Sequence, residues 1–110
     1  MNWDTIPSEQ VAEGIQRQMV VGEKLMICRL KIQPRVVTAV HTHEHEQMTM
    51  VERGRVLYIV DGVERVCSAG DVLHFRPHQP HGATMLDEEV VLVDVFTPRR
   101  EDLLTPKRSA

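Results

Sequence analysis

The chain has 110 residues, of which 42% are hydrophobic and 26% charged, so its composition allows one globular domain with one core. A net charge of −3, with no cluster of Lys and Arg beside aromatic residues, argues against nucleic acid as a partner. The apolar runs are far shorter than the roughly 20 residues that span a bilayer, and the start MNWDTIPSEQ does not resemble a secretory leader, so we expect a cytoplasmic protein with no membrane partner.

The predicted elements are almost all β-strands. The polar segment 8–13 predicts one helical turn, which Gly14 ends. From Ile15 onwards, short β-rich runs alternate with turns that contain Gly, Pro or Asp. We predict strands at 16–21, 25–32, 36–43, 47–51, 55–60, 63–67, 72–75, 83–86 and 90–96. One domain therefore spans 1–110, with a strand-rich core at 15–98 and a charged tail at 99–110.

The many short strands, without a long helical pattern, predict an all-β, antiparallel sandwich or barrel. Asp61-Gly62 separates two of the strands and predicts a two-residue hairpin loop, because Gly adopts positive φ at little cost. The mouth of a small barrel is a natural ligand site, lined by inward-pointing strand residues. Cys28 and Cys67 fall in separate strands, and we expect buried thiols without a disulfide.

Half of the six histidines lie in the segment 41–47, which reads HTHEHEQ. On a strand His41 and His43 project from the same face and can reach one metal ion. Gln47 has the same parity, but an unbroken strand would place it roughly 20 Å from His41. If all three bind one metal, the chain must turn within 44–46, which predicts strand, tight turn, strand. The alternative is a polar barrel mouth without metal.

The amide of Gln47 is the distinctive group of this metal site. A neutral amide leaves the metal complex one unit more positive than a carboxylate would, which favours Lewis-acid chemistry over oxygen activation. Nitrogen ligands with one oxygen donor suit Zn, Ni, Fe or Mn, so we expect one divalent metal ion without specifying which.

The other histidines have plainer interpretations. We expect His45, in the predicted turn, to face solvent or to support a ligand. His74 is expected in the barrel wall with a hydrogen-bond partner, and His78 on the surface of a loop.

A carboxylate lies within the last apolar strand, VVLVDVFTPRR, where Asp94 shares one face with Leu92 and Phe96. Burial of a carboxylate is costly unless it is paired or hydrogen-bonded, so Asp94 needs a partner, and Arg100 and a metal-bound water are the candidates. Asp94 is then either an ion-pair residue that ties the tail to the barrel or a general acid or base that faces the cavity.

Two motifs resemble those of the cupin family. The spacing His41-x-His43-x3-Gln47-x6-Gly54 resembles the first cupin motif, with Gln where Glu is commoner. Gly70, followed eleven residues later by His81, resembles the second. Within that second motif, Arg76 and His78 stand where proline and where glycine or asparagine are usual.

The cupin resemblance implies a double-stranded β-helix barrel with one divalent metal bound by His41, His43, Gln47 and His81. Small cupins of this kind are commonly dimers, so the resemblance also implies a homodimer.

A narrower resemblance involves the run Asp94-Val-Phe96-Thr-Pro-Arg99-Arg100, which with the first motif is similar to the small pectin-degradation cupins of the KdgF type. It implies conversion of unsaturated uronate monosaccharides, a small acidic sugar substrate, into open-chain keto sugars. It further implies that Asp94 moves the proton, that Phe96 packs on the sugar ring and that Arg100 pairs with the carboxylate.

Two other functions stay open at this point. One is a metal-dependent oxygenase or polyketide-cyclase-like cupin that acts on an apolar ring, for which Met48, Met50 and Met85 would line the mouth, although their more ordinary role is to fill the core. The other is a binding module that senses a metal or sugar without turnover. A cavity lined by Arg and Asp favours the sugar enzyme, an apolar cavity favours the oxygenase or cyclase, and the lack of an acid or base near the metal favours the binding module.

Overall fold

The computed structural model describes residues 1–104, and strands dominate this part of the chain. The strands, numbered in chain order, are β1 Glu9–Ala12, β2 Ile15–Val21, β3 Met26–Ile32, β4 Val37–His41, β5 Glu46–Arg53, β6 Arg55–Val60, β7 Val63–Ser68, β8 Val72–Phe75, β9 His81–Met85 and β10 Val90–Thr97. A 3₁₀ turn at Trp3–Thr5 precedes them, and a short helix α1, Glu101–Leu104, follows.

Strands β2 to β10 correspond to the nine predicted ones, with ends that differ by a few residues. The helical turn predicted at 8–13 is wrong, because this segment forms β1. Strand β1 pairs antiparallel with β2, and Gly14, at φ +76°, makes the turn between them. Gly14 therefore closes a hairpin rather than ending a helix, as its left-handed backbone permits.

The strands form two antiparallel sheets, so the predicted all-β class is confirmed. The larger sheet has the order β1-β2-β3-β10-β5-β8, and the smaller one β4-β9-β6-β7. Strand β10 lies between β3 and β5, and seven of its eight residues pair with each of these strands. Because its neighbours come from distant parts of the chain, β10 joins the N-terminal hairpin to the rest of the larger sheet.

The core fills the space between the sheets, where side chains at alternate strand positions meet. Its main cluster includes Ile32, Val51, Phe75, Met85 and Leu92, all nearly free of solvent contact.

A second, smaller cluster joins Met26, Cys28 and Phe96 at one end of the barrel, and Leu103 and Leu104 of α1 pack against it. The first residues of the predicted charged tail therefore fold back onto the barrel through two leucines. Residues 105–110 of that predicted tail lie outside the described part of the chain.

Cys28 on β3 and Cys67 on β7 are buried free thiols, as predicted. Burial raises the pKa of Cys28 to about 11, so the thiol is protonated at neutral pH. Within residues 1–104, no helix is long and apolar enough to cross a membrane.

Gly54, between β5 and β6, allows a backbone approach that a side chain would block. Its φ is +83°, and a Cβ atom there would lie 2.5 Å from the carbonyl oxygen of Glu89. Gly62, in the predicted hairpin loop, has a similar φ of +79° but no atom within 4 Å of its Cβ position. A side chain at either glycine would therefore strain the backbone, but only a side chain at Gly54 would also clash with a neighbouring atom.

We predict that Gly54→Ala lowers the unfolding free energy well beyond Gly62→Ala. Left-handed backbone costs both variants about 1 kcal/mol, and the clash adds roughly 1–3 kcal/mol at position 54. Urea denaturation of both variants measures the difference, and equal losses would show that the contact with Glu89 relaxes freely.

Candidate metal centre and its cavity

A cavity of about 210 Å³ opens between the two sheets at one end of the barrel. Its walls are mostly apolar, from Leu30, Ile32, Met85 and Leu92 among others. Polar side chains reach it from both sheets and from the segment after β10, namely Arg17, His41, Gln47, His81, Asp94 and Arg100. The cavity therefore combines an apolar body with a few convergent polar groups, as small-molecule sites do.

Three imidazoles converge beside this cavity. One ring nitrogen each of His41, His43 and His81 lies within 4.8 Å of the others. His41 ends β4 and is the pairing partner of His81, the first residue of β9, while His43 lies in the turn before β5. Strand β5 begins at Glu46, so the structure contains the predicted strand, tight turn, strand and brings Gln47 back to the histidines.

Backbone hydrogen bonds set the tautomer of all three rings. In each ring, Nδ1 lies within hydrogen-bond distance of a backbone carbonyl oxygen. The distances are 2.9 Å from His41 to Ala39, 3.0 Å from His43 to His45 and 2.8 Å from His81 to Gln79. A carbonyl oxygen only accepts, so each Nδ1 must donate. In the neutral rings every Nε2 then keeps its lone pair, which is the arrangement of metal-binding histidines.

The amide of Gln47 completes this set of acceptors. Its Nε2 donates to Thr49 Oγ1 over 2.9 Å, which turns its Oε1 towards His43 Nε2 at 2.9 Å. Two acceptors thus face each other, an arrangement that a cation between them would stabilise. His81 Nε2 is also buried without a hydrogen-bond partner among residues 1–104.

Burial lowers the pKa of His43 and of His81, so the neutral, metal-binding form of each ring is favoured. His81 also stacks on Phe75, with ring centroids 4.4 Å apart and planes 12° apart, which fixes its orientation. Three imidazole nitrogens and one amide oxygen therefore fit a divalent metal ion.

Asp94 is buried next to this cluster and is held by a residue that the sequence did not indicate. Thr49 Oγ1 donates to Asp94 Oδ1 over 2.7 Å while it accepts from Gln47, so a row of hydrogen bonds links the amide to the carboxylate. Burial raises the pKa of Asp94 to about 6, although the Thr49 hydrogen bond and the charge of Arg100 oppose the rise.

Arg100 does not form the ion pair with Asp94 that was one of its expected roles. Its Nε and Nη2 atoms donate instead to Asp102, over 2.9 and 2.7 Å, and this lowers the pKa of Asp102. The guanidinium carbon of Arg100 lies 5.0 Å from the centroid of the Phe96 ring. The centroid of the His43 ring lies 5.9 Å from the same Phe96 centroid. Phe96 thus lies between the imidazole cluster and the guanidinium.

Met48, Met50 and Met85 divide between the inside and the outside of the barrel. Met85 is buried and lines the cavity, but Met48 and Met50 lie on the outer face with exposed fractions of 51% and 44%. The expectation that all three line the mouth is therefore wrong for two of them. Both have even parity on β5, opposite in direction to Gln47, Thr49 and Val51.

The remaining histidines lie where their plainer interpretations put them. His45 is buried, and its carbonyl oxygen supports His43. His74 is exposed, with its Nε2 atom 2.6 Å from a Glu46 carboxylate oxygen. His78 is on an exposed loop, where its backbone N–H donates to the carbonyl oxygen of His43.

Comparison with known proteins agrees with this architecture. The model of the Cupin domain family matches residues 28–96. The pectin degradation protein KdgF of Dickeya dadantii (strain 3937) is 29% identical over 103 residues, which are 92% of this chain and 94% of that protein.

Two solved structures are also similar along nearly their whole length. An RmlC-like cupin from Shewanella frigidimarina superposes with a TM-score of 0.88 at 33% identity, covering 94% of this chain and 93% of the other. KdgF from Halomonas sp. has a TM-score of 0.88 at 31% identity, covering 93% of this chain and 94% of the other.

We predict that His81→Ala abolishes stabilisation by added Zn²⁺, because a metal that binds only the folded state raises its stability by mass action. Gln47→Ala should weaken the effect less, since three imidazoles remain. Thermal unfolding with and without Zn²⁺, together with metal content after dialysis, measures both. His74→Ala is the matched control on the barrel exterior, and an unchanged Zn²⁺ effect in His81→Ala would remove His81 from the ligand set.

We also predict a pH dependence that is specific to Asp94. Because burial raises the pKa of Asp94 from 3.8 to about 6, the metal-free folded protein binds more protons than the unfolded chain between these values. The Asp94 contribution to stability therefore falls as the pH rises through this window. Asp94→Asn lacks this titration, and every other ionisable group is the same in the two proteins. The melting temperature of the wild type minus that of Asp94→Asn should thus fall from pH 4 to pH 6, and a constant difference would contradict the raised pKa.

Proposed function

Because the chain belongs to the cupin family and is KdgF-like, we propose that it is a metal-dependent enzyme that converts unsaturated uronate monosaccharides into linear keto sugars. One observation carries the proposal: the buried carboxylate of Asp94 and the guanidinium of Arg100 line the same cavity as His41 and His81. The proposal thus assigns an acid or base, a cation for an anionic substrate and a metal-binding cluster to residues of one cavity.

The three histidines and the Gln47 amide are the residues that would hold one divalent metal ion, Zn, Ni, Fe or Mn. When bound, such an ion acts as a Lewis acid that polarises a sugar oxygen. The protein ligands are all neutral, so the ion keeps its full charge. Conversion of the cyclic unsaturated sugar to its linear keto form is a net isomerisation, which moves protons and needs no oxidant.

Asp94 is the group proposed to move the proton. Burial raises the pKa of Asp94 to about 6 in the metal-free protein, which makes its carboxylate a stronger base than that of an ordinary aspartate. Thr49 holds one carboxylate oxygen and so restricts the rotation of the side chain. Because Thr49 also holds Gln47, the distance between the proposed base and the proposed metal ligand is fixed by two short hydrogen bonds.

Phe96 and Arg100 are the proposed substrate contacts. The Phe96 ring offers an apolar surface on which a sugar face packs, next to His43. Arg100 is only 14% exposed and is held by Asp102, so its direction is set before a ligand arrives. A preordered guanidinium in a half-closed cavity suits a uronate carboxylate.

The competing functions have less support. Two of the three methionines that would have favoured an apolar substrate face outwards. The cavity walls are mostly apolar, but Arg17, Asp94 and Arg100 also line them, which favours a charged ligand over a purely apolar one. A binding module without turnover would leave the raised pKa of Asp94 without a role. The homodimer and the cytoplasmic location stay predictions, and light scattering would give the oligomeric state.

We predict that the metal-loaded protein accelerates loss of the conjugated absorbance of an unsaturated uronate monosaccharide, and that a chelator abolishes this activity. Asp94→Asn should lower the rate about 10²–10⁴-fold with unchanged metal content, since Asn can still accept the Thr49 hydrogen bond but cannot take a proton.

His74→Ala, which changes an exposed histidine, should keep the wild-type rate. A wild type with no activity would overturn the proposed reaction. A fully active Asp94→Asn would instead leave the reaction in place and assign proton transfer to another group.

A further inference from the structure

An arginine that the metal centre does not explain lies on the inner face of β2. Odd-numbered residues of this strand point inwards: Ile15 packs on the main core cluster and Met19 on the second cluster. Arg17 lies between them, lines the cavity and has a side chain only 13% exposed. A charge thus interrupts an apolar stripe at a position where Val or Leu would pack.

The contacts of Arg17 leave part of its guanidinium unpaired. Its Nη2 atom donates to Glu9 on β1 over 2.8 Å, which is its one side-chain hydrogen bond within residues 1–104. Its Nε atom is buried and has no partner in that part of the chain. Buried donors are nearly always hydrogen-bonded, so an unpaired charged donor beside a cavity indicates an acceptor that a ligand supplies.

Arg29 on the neighbouring strand shows what a purely structural arginine looks like here. It faces outwards, donates through Nε and Nη2 to Glu52 and through Nη1 to Gln18, and stacks on Trp3. All three nitrogens have partners. Arg17, which is less exposed, has one of three, so an ion pair between strands does not account for it.

Arg17 and Arg100 both line this cavity. Cys28 of β3, which also lines the cavity, feels the charge of both guanidiniums and of Asp94. Asp102 occupies the Nε and Nη2 atoms of Arg100, so this guanidinium has an incomplete edge to offer a ligand.

We propose that Arg17 is a second substrate-binding arginine, which shares with Arg100 the carboxylate of an acidic monosaccharide. The identity of that ligand as a sugar acid rests on the proposed function. The observation that the Arg17 guanidinium is partly unpaired is independent of it. Glu9 is then a positioning residue that holds Arg17 from β1.

The test is a comparison of two saturated sugars, D-galacturonate and D-galactose, which differ in the carboxylate. Binding to the metal-loaded protein is measured by calorimetry or ligand-observed NMR. We expect Arg17→Met to weaken galacturonate binding about tenfold, and to leave galactose binding within about twofold. Arg29→Met is the matched control, a partly buried, salt-bridged arginine on the adjacent strand, and should bind both sugars as the wild type does.

Folding and catalysis can be separated from this effect. Met keeps the length of the apolar stem, and the Glu9 carboxylate that loses its partner is 59% exposed, so no buried charge is left alone. Circular dichroism and melting confirm the fold, and Arg17→Lys should keep part of the preference for galacturonate. In turnover, Arg17→Met should raise KM more than it lowers kcat, because Arg17 holds the substrate away from the reacting atoms.

Wild-type affinity for galacturonate in Arg17→Met, or no binding of galacturonate by the wild type, would overturn the role of Arg17. Failure of the proposed function would give a different result. The protein would not turn over the unsaturated uronate but would still prefer galacturonate to galactose.

Discussion

The Thr49 hydroxyl, which accepts from Gln47 and donates to Asp94, is the interaction on which the site depends. It lies in the fully buried part of β5, directly opposite Asp94 of β10 in the sheet register. This one hydroxyl satisfies an amide and a carboxylate that would each be costly to bury alone. It also orients the amide oxygen towards His43, so the arrangement of the imidazole cluster and that of the carboxylate are not independent.

Sheet register determines which chemistry faces the cavity. Strand β10 lies between β3 and β5, and its alternation turns Leu92, Asp94 and Phe96 inwards. A slip of one residue would bring Val93 and Val95 to the inner face and turn the carboxylate away from the cavity. The long ladders on both sides of β10 oppose such a slip. A strand that is paired along nearly its whole length on both sides therefore carries the acid that the proposed reaction needs, and such a strand holds a functional group rigidly.

Patterns local in sequence predicted the strands and the strand–turn–strand that returns Gln47 to the histidines. Cupin motif spacing brought in His81. Contacts between distant segments were not accessible in the same way, because Thr49 and Asp94 lie 45 residues apart and only the register reveals that they meet. Strand β1 was missed because its short polar sequence has no apolar alternation, and backbone pairing with β2 alone makes it a strand. Arg17 was detectable by parity, as a charge between Ile15 and Met19, but only once the inward face was known.

The N-terminal hairpin connects an edge strand of the larger sheet to a residue of the cavity. Strand β1 is the outermost strand of the larger sheet, yet its Glu9 is the one side chain among residues 1–104 that holds the cavity-lining Arg17. Affinity tags, fusions and trimmed boundaries are usually placed at such an edge on the assumption that it is inert. In this protein, a change before Ile15 that displaced β1 would leave the imidazole cluster intact and alter the charge distribution of the cavity. Two preparations with the same metal content and the same barrel would then differ in ligand preference.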